Sequence, residues 1–429
     1  MYLHKTLVGI FCSQCWRRKS IFMHKENKLL GKKIAILFPA WTNCGTYRVV
    51  IGQIAAYTEL GADVYPVALS MTPNATPENK TKWTAFLSSA HEIKDLCYLG
   101  GPSYVSLLNH HYIRHVLWPY FHGNHARIRT WLLSQAKLPN RIENQKFDLI
   151  HCNHFFVMPV AKRLSSGKTP ILLETHDVQA RQFEIMNRLT WSLKPQTTYE
   201  ELLAEELEQL TQASALIHLN SEEKLTFQSL LPENRHFLLY PRVNKITPSP
   251  QGREIIMIAA NNPPNIEGIS WLLKEVAPKI HNFAVSIYGD VDKGVEKFFP
   301  QLFNQYRSCF RGEVTNLNDA YKNSKAIILP AVSGHGLSIK AVEALSTGLP
   351  IIATSVAFRG MSEQSMSLRG LTIANSADSF AEALSLCLLN ETTGARLESI
   401  SGSTIEYYNN NFSHHKYCAN LEEIAGQFL

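Results

Sequence analysis

From residue 31 onward, short apolar runs alternate with stretches whose apolar residues follow a helical period. The segment "KKIAILFP" has the length and character of a buried strand and stops at the polar loop "AWTNCGTYR". The next segment, "VVIGQIAAYTELGADV", has apolar residues at helical spacing with a glycine after the last turn, and the apolar run "VYPVAL" follows. The order strand, loop, helix, strand is a βαβ unit, which predicts a parallel sheet.

The same pattern recurs along both halves of the chain. "FDLIHCNH" and "PILLETHD" read as strands that end in polar residues, and "TTYEELLAEELEQLTQA" as an amphipathic helix in which Thr197 and Glu200 close a capping box. Prolines and polar residues in "YPRVNKITPSPQGRE" interrupt the alternation and predict a linker, after which a second βα series runs from "EIIMIAA" to "LPIIATS". We therefore expect an α/β protein made of two doubly wound, Rossmann-like domains that face a central cleft. The predicted divisions are an N-terminal extension outside the fold (1–30), a first domain (31–242), a second domain (243–400) and a C-terminal helix (401–429).

Composition narrows the class of protein. A hydrophobic fraction of 45% and a charged fraction of 18% are those of a globular chain, and a formal net charge of +6 suits anionic ligands but is too small to indicate nucleic-acid binding. Eight cysteines in 429 residues are too sparse for a disulfide scaffold, and no run is long enough for a membrane span. We expect a reduced, cytoplasmic protein, with peripheral contact at the inner face of the membrane as an option. Whether Met1 or Met23 is the true start stays open.

One segment of the first half departs from the βα rhythm. Residues 103–137 are rich in His, Arg and aromatic side chains, which predicts an insertion. Two interpretations stay open, a helical insertion without a function of its own and a patch that faces the acceptor or a membrane surface.

The stretch "AVSGHGLSIKAVEALSTGLPIIATS", residues 331–355, carries the clearest chemistry. Gly334 and Gly336 allow the backbone to approach a ligand, and the following helix offers free N–H groups and a partial positive charge for phosphate. Gly336, Lys340 and Glu343 are spaced i, i+4 and i+7, so they share one helix face. A lysine for phosphate oxygens and a glutamate for the vicinal hydroxyls of a ribose predict a nucleotide-sugar site. The alternative is a βα turn whose glycines only permit tight packing, with Lys340 and Glu343 solvated.

The second half resembles the donor-binding domain of GT-B glycosyltransferases of the group 1, or family 4, class. The matching stretches are "AANNPPNIEGISWLL", "SIYGD", the run from "FRGEV" to "IIATS", and "RGM". The resemblance implies that Glu343 binds the nucleotide ribose, and that the backbone of Gly334, His335, Gly336 and Leu337 lies beside the diphosphate and the sugar. It also implies retaining transfer without a metal cofactor. The motif "GDVD" at 289–292 has metal-binding spacing, but it follows a strand where the resemblance assigns no metal.

The chain departs from that family pattern at two places. Many members carry a glutamate where this chain has His335, and an Arg and a Lys where this chain has "NNPPN". Neutralisation of the phosphates is therefore expected from Lys340, from helix N-termini or from Arg359.

Polar residues at the ends of first-half strands supply the remaining candidates. The resemblance places His176 or Asp177, in "ETHD", beside the donor sugar, where His176 would stabilise developing positive charge and Asp177 would orient the acceptor hydroxyl; the alternative is a strand-end capping pair. In "WTNCGTYR", Gly45 and Arg48 are candidates for an acceptor or phosphate loop, with a plain glycine turn as the alternative.

The histidines of "HCNH", His151 and His154, are interpreted as structural, because a zinc pair would lack a third ligand.

The function expected from these residues is transfer of a sugar from a nucleotide diphosphate-sugar to a hydroxyl of a glycan or lipid-linked acceptor. Two alternatives stay open: a nucleotide-sugar epimerase on the same architecture, and a nucleotide-sugar-binding protein that has lost activity. The second is motivated by His335 and by the absent Arg/Lys pair.

Overall fold

The computed structural model describes residues 28–41, 45–71, 81, 97–99, 110–189, 191–314, 317–389 and 394–429. Within these residues, two parallel sheets form the framework. The first has the order β3-β2-β1-β4-β5-β6-β7. Its strands are β1 (Lys33–Pro39), β2 (Asp63–Leu69), β3 (Cys97–Leu99), β4 (Leu149–Asn153), β5 (Ile171–Glu174), β6 (Ala215–His218) and β7 (His236–Leu238).

The second sheet has the order β10-β9-β8-β11-β12-β13. Its strands are β8 (Glu254–Ile258), β9 (Ser286–Tyr288), β10 (Phe310–Gly312), β11 (Ser324–Leu329), β12 (Ile351–Ala353) and β13 (Leu371–Ile373). In both sheets the order reverses beside the first strand of the domain, which places a ligand crevice at the carboxyl ends of the strands. The predicted fold class, two doubly wound Rossmann-like domains, is confirmed.

Helices connect the strands of each domain. In the first domain they are α1 (Gly45–Glu59), α2 (110–121, with a π-helical turn at Ile113–Leu117), α3 (His125–Ser134), α4 (Asn140–Glu143), α5 (Met158–Ser165), α6 (Gln179–Leu189), α7 (Tyr199–Leu210) and α8 (Ser221–Leu230). In the second they are α9 (Pro263–Trp271), α10 (Val291–Phe298), α11 (Pro300–Gln305), α12 (Leu317–Lys322), α13 (Ile339–Thr347), α14 (Ala377–Leu389), α15 (Gly394–Asn411) and α16 (His414–Ala425).

Both faces of each sheet are buried, which explains why the strands are almost continuously apolar. In β1, Ala35 and Leu37 belong to one core cluster of the first domain, and Ile34 and Ile36 belong to the other. β11 divides in the same way between the two core clusters of the second domain. The strand ends are thereby held in fixed positions, and the loops that follow them carry the candidate site.

The ends of the chain differ from the sequence-based prediction. Two helices, α15 and α16, occupy the region predicted as one C-terminal helix. The last of them, α16, packs on α1 of the first domain, where Leu421 is completely buried and contributes about 1.5–3 kcal/mol by its burial. Leu29 is also completely buried in that cluster, so the first domain extends before residue 31. The rest of the predicted extension, residues 1–27, lies outside the described residues.

The capping box of α7 is one residue later than predicted. Thr198 is the N-cap, its side chain accepts from the backbone N–H of Glu201, and the Glu201 carboxylate accepts from the N–H of Thr198. Thr197 and Glu200 are therefore not the pair.

The insertion predicted at 103–137 is helical where it is described, in α2 and α3. Its residues 103–109 lie outside the described residues. None of the described helices combines the length and the apolar character needed to cross a membrane.

Candidate active site

A cleft of about 1240 Å³ separates the two domains at the carboxyl ends of their strands. The first domain contributes the segments that follow β4 and β5, with His154, His176 and Asp177. The second domain contributes the loop after β11, with His335, Gly336 and Leu337, and Glu343 from α13.

The predicted donor-binding residues divide between this cleft and a smaller cavity of about 300 Å³ in the second domain. Gly334 and Lys340 line the smaller cavity, Gly336 and Glu343 line the cleft, and His335 and Leu337 line both. The loop 334–337 therefore forms the partition between the two spaces.

Lys340 lies at the start of α13, where its ammonium group is half-buried. Its Nζ donates to Oδ1 of Asn265 at 2.5 Å. The pKa of Lys340 is lowered to about 8, first by burial and then by the Arg359 guanidinium, while Glu343 acts in the opposite direction. Asn265 belongs to the "NNPPN" stretch, in which Asn262 caps α9 by accepting from the N–H of Asn265. The "NNPPN" stretch thus supplies a hydrogen-bond partner for the lysine of the other helix.

Arg359 is a second half-buried cation in the smaller cavity. Its Nη1 donates to the carbonyl of Val356 at 3.0 Å, whereas its buried Nε has no partner among the described residues. Burial lowers the pKa of Arg359, opposed by Glu222 and Asp177. A Cβ on Gly334, which has φ +134°, would lie 2.8 Å from the guanidinium carbon of Arg359. A glycine is needed there because the loop backbone lies directly against the cation.

Glu343 is held from two sides at the border of the cleft. Tyr321 donates its hydroxyl to Oε2 at 2.9 Å, and Nη1 of Arg48 lies 3.9 Å from Oε1. Burial raises the pKa of Glu343, while Tyr321, Arg48 and Lys340 act to lower it. The Glu343 side chain is 15% exposed, so the alternative of a solvated turn residue does not describe it.

His176 is fixed in an unusual backbone conformation after β5. Its φ is +64°, its Nε2 lies 2.9 Å from Oδ1 of Asn153, and its ring stacks on His154 with the centroids 4.0 Å apart. Positive φ is costly for a residue with a Cβ, so the surrounding contacts must hold it there. Burial lowers the pKa of His176 to about 4, against an opposing effect of Glu174, and the ring is therefore neutral at pH 7.

Behind His176 lies a buried polar network that includes three residues the sequence analysis did not select: Gln53, Asn153 and Glu174. Gln53 donates to Oε2 of Glu174 at 2.5 Å and accepts from Asn153 at 2.8 Å. His151 completes the network through Tyr57, whose hydroxyl lies 2.9 Å from Nδ1. The available signal was that "HCNH" and "ETHD" end strands with consecutive polar residues, which a buried strand tolerates only when those residues bond one another.

Asp177 belongs to a cluster of three carboxyl groups. Burial raises the pKa of Asp177 to about 6, offset by Glu223 and Arg359; burial also raises the pKa of Glu206 to about 8 and that of Glu223 to about 9. Glu206 accepts from the backbone N–H groups of Gln179 and Ala180, as an N-terminal partner for α6. No sequence pattern indicated Glu206 and Glu223, since they lie on α7 and α8, far from "ETHD" along the chain.

The two domains meet at Asp177. A Cβ on Gly336, which has φ +66°, would lie 2.8 Å from Oδ1 of Asp177. On the adjoining surface, Ser221 donates to the carbonyl of Gly360, and Gly360 donates its N–H to Glu222 at 3.1 Å. The predicted catalytic residues and the predicted donor loop are therefore in direct proximity.

The first βα turn is described only in part. Gly45 is the first residue of α1, and residues 42–44 before it lie outside the described residues. Arg48 lines the cleft with a side chain that is 67% exposed.

Within the described residues, one group has the spacing of metal ligands: Glu59, His414 and Cys418. His414 is already bonded there, through Nε2 to Glu59 at 2.5 Å and through Nδ1 to the guanidinium of Arg242 at 2.8 Å. A cation at Nδ1 does not favour a metal ion beside it. His151 and His154 are not part of this group.

Residues 252–390, which make up most of the second domain, match the family model described as "Glycosyl transferases group 1". This region of the second domain is therefore similar to the group 1 glycosyltransferases. No match was found among curated proteins.

Solved structures show that the chain as a whole has the GT-B fold. Anabaena Alr3699/HepE in complex with UDP has a TM-score of 0.62 at 13% identity, covering 92% of this chain and 100% of that one. A mutant of S. aureus TarM in complex with fondaparinux, alpha-GlcNAc-glycerol and UDP has a TM-score of 0.63 at 11% identity, covering 92% and 99%. The α,α-trehalose 6-phosphate synthase of Burkholderia multivorans has a TM-score of 0.58 at 12% identity, covering 93% and 100%.

Proposed function

We propose that this glycosyltransferase moves a hexose-type sugar from a nucleoside diphosphate-sugar to a hydroxyl of a glycan or lipid-linked acceptor, with retention of configuration. The observation that carries the proposal is the pair of half-buried cations, Lys340 and Arg359, in the 300 Å³ cavity. Burial lowers the pKa of each, which means that the protein alone does not compensate these charges. A diphosphate would supply the missing negative charge.

The N-termini of two helices strengthen the case for a diphosphate. α9 and α13 both begin at the smaller cavity, which is lined by Asn262 and Ser338 from their N-caps. Helix N-termini favour anions through free N–H groups and the helix dipole. In transfer, the same groups would stabilise the charge that develops on the departing diphosphate, which is the step that a metal ion assists in other enzymes. Transfer without a metal cofactor is part of the proposal.

On the opposite wall, His176 and Asp177 face the sugar in this proposal. The neutral His176 ring would hydrogen-bond a sugar hydroxyl, and a partly ionised Asp177 carboxylate would orient the acceptor hydroxyl and favour the positive charge at the reacting carbon. Glu343, fixed by Tyr321, would accept from the ribose hydroxyls.

Assays with a panel of UDP-, GDP- and ADP-sugars test the proposal. We expect one nucleotide family to bind, and release of the nucleoside diphosphate to accelerate with an acceptor. Isomerised donor without acceptor would identify an epimerase, and binding without turnover over a broad acceptor panel would identify an inactive binder. Either result would refute transfer as the function.

Peripheral contact with an anionic membrane is a further part of the proposal, supported by the surface of the insertion. Trp118, Tyr120 and Ile113 of α2 are 66%, 57% and 54% exposed, and Trp191 is 75% exposed. Arg114 on the same helix adds positive charge. Exposed aromatic side chains beside basic ones suit the boundary of an anionic bilayer.

Sedimentation with vesicles tests this contact. We expect binding to vesicles with phosphatidylglycerol, weaker binding to pure phosphatidylcholine, and loss of binding in the double variant Trp118→Ser and Trp191→Ser. Equal sedimentation of the wild type and the double variant would exclude this surface as the contact.

A further inference from the structure

Arg129, in the helical insertion, is a half-buried cation that no carboxylate accompanies among the described residues. It lies on α3 and lines the interdomain cleft together with Trp41, His154 and Gln182. Its guanidinium carbon lies 5.3, 5.6 and 5.0 Å from the ring centroids of Trp41, Phe156 and Phe183. Within the described part of the chain, this side chain has neither an ion pair nor a hydrogen bond to an acid.

The aromatic contacts alone do not account for this placement. A cation over an aromatic face is stabilised by about 0.5–2 kcal/mol, whereas removing a charge from water without a counter-charge costs several kcal/mol. Burial lowers the pKa of Arg129, because removing the charged guanidinium from water disfavours its charged form. The aromatic rings hold the guanidinium in place and leave its N–H groups for a ligand in the cleft.

A second group at this wall also lacks a partner. His154 is 3% exposed and lines the cleft; its Nε2 bonds Thr46 Oγ1 at 2.8 Å, while the buried Nδ1 has no partner among the described residues. The pKa of His154 is lowered, first by burial and then by His176 and Arg129, so the ring is neutral. The His154 ring stacks on His176, which places the Arg129 wall next to the predicted reaction centre.

Arg129 is separate from the cations assigned to the donor. Lys340 and Arg359 line the smaller cavity of the second domain, whereas Arg129, Trp41 and His154 all belong to the first domain. An anion at Arg129 is therefore not the diphosphate of the donor.

We propose that Arg129 binds an anionic group, a phosphate or a carboxylate, on the acceptor substrate, so that the enzyme glycosylates a charged rather than a neutral acceptor. The inference rests on the proposed function, because it assigns the acceptor to the cleft wall opposite the donor.

Calorimetry without turnover tests the proposal, with the donor site saturated by the nucleoside diphosphate that the enzyme prefers. The probes are a hexose phosphate, a hexuronic acid and the matched neutral hexose at equal ionic strength. We expect at least one charged probe to bind roughly tenfold or more tightly than the neutral one. The phosphate and carboxylate arms identify which anion the site takes.

Three variants separate binding from packing. Arg129→Met, which keeps much of the apolar contact, should remove the preference for the charged probe; Arg129→Lys should keep part of it. Arg127→Met is the matched control, because Arg127 lies on the same helix, is exposed and does not line the cleft. Unchanged affinity for the nucleoside diphosphate shows that each variant is folded.

The proposal is overturned if the wild type binds neither charged probe, if it binds charged and neutral probes equally, or if Arg129→Met keeps the preference. These outcomes are distinct from failure of the proposed function, which would appear as a wild type that does not bind nucleoside diphosphates or that binds them without turnover.

Discussion

The polar network behind His176 and the cations of the smaller cavity differ in how their charges are compensated. Glu174 and His151 are completely buried but lie in a network of amide, imidazole and phenol groups from the same domain. In the smaller cavity of the second domain, Lys340 and Arg359 lie near each other, and each has a lowered pKa. The network is bonded within its own domain, whereas the two cations are compensated only when an anion is bound. This difference assigns a scaffold role to the network and recognition of the diphosphate to the smaller cavity.

The largest expected effect comes from removing a positive charge from the smaller cavity. Lys340→Met should lower the transfer rate by roughly 10²–10³, as is typical for loss of one electrostatic contact to a transition state. Steady-state kinetics with the preferred nucleotide-sugar measure this effect. Lys322→Met is the control, because the Lys322 side chain is 58% exposed and lies outside both cavities. Equal kinetics for the two variants would contradict recognition of the diphosphate by this cavity.

A second test concerns the contact between the two domains at Asp177. Gly336→Ala introduces a Cβ at φ +66° and 2.8 Å from Oδ1 of Asp177, so it should reduce both stability and transfer. Gly167→Ala is the matched control, because Gly167 has φ +75° with open space around it. In the control, only the strain of the left-handed backbone should lower the stability, by about 1–2 kcal/mol, and the kinetics should be unchanged. If both variants lost activity to the same degree, the contact with Asp177 would have no functional role.

The carboxyl cluster behind Asp177 gives a smaller effect, which depends on pH. The pKa of Glu223 is raised to about 9, so its protonated form stabilises the folded state below pH 4.5, and that contribution is lost as the pH rises toward 9. Glu223→Gln keeps a neutral group and should flatten the fall in melting temperature over this range. Melting curves from pH 5 to pH 8.5 measure it, and parallel curves for the two proteins would contradict the raised pKa.

The smallest effect is expected from the ion pair that spans the cleft. Arg48 and Glu343 lie 3.9 Å apart, and the Arg48 side chain is 67% exposed. Because solvent screens the pair, its interaction contributes only about 0–1 kcal/mol. Arg48→Gln should therefore change the KM for the donor less than about fivefold, which donor-saturation kinetics will show. A fall in the transfer rate as large as that of Lys340→Met would mean that Arg48 binds the donor directly.

The contrast between the network and the cavity also bears on what the sequence could predict. The apolar alternation predicted both sheets, because buried parallel strands need continuous apolar runs. The loop at 334–337 and the position of Lys340 were accessible because glycine spacing and helix periodicity are local. Other residues at the site were not accessible in this way: Asn265, Tyr321, Glu206, Glu223 and Arg129 reach it through the fold, from positions distant in sequence. The capping box was predicted one residue early, since adjacent Thr–Glu pairs, 197 with 200 and 198 with 201, satisfy the same spacing.

The central claim is that a nucleoside diphosphate compensates the Lys340 and Arg359 charges. Calorimetry of nucleoside diphosphate binding at pH 8, in buffers of different ionisation enthalpy, tests it most directly. Because the Lys340 pKa of about 8 should rise when the anion binds, the wild type should take up protons on binding, and its affinity should fall as the pH rises above 8. Lys340→Met should bind at least about tenfold more weakly, with little proton uptake. Binding of equal affinity and equal proton uptake in the two proteins would contradict the account.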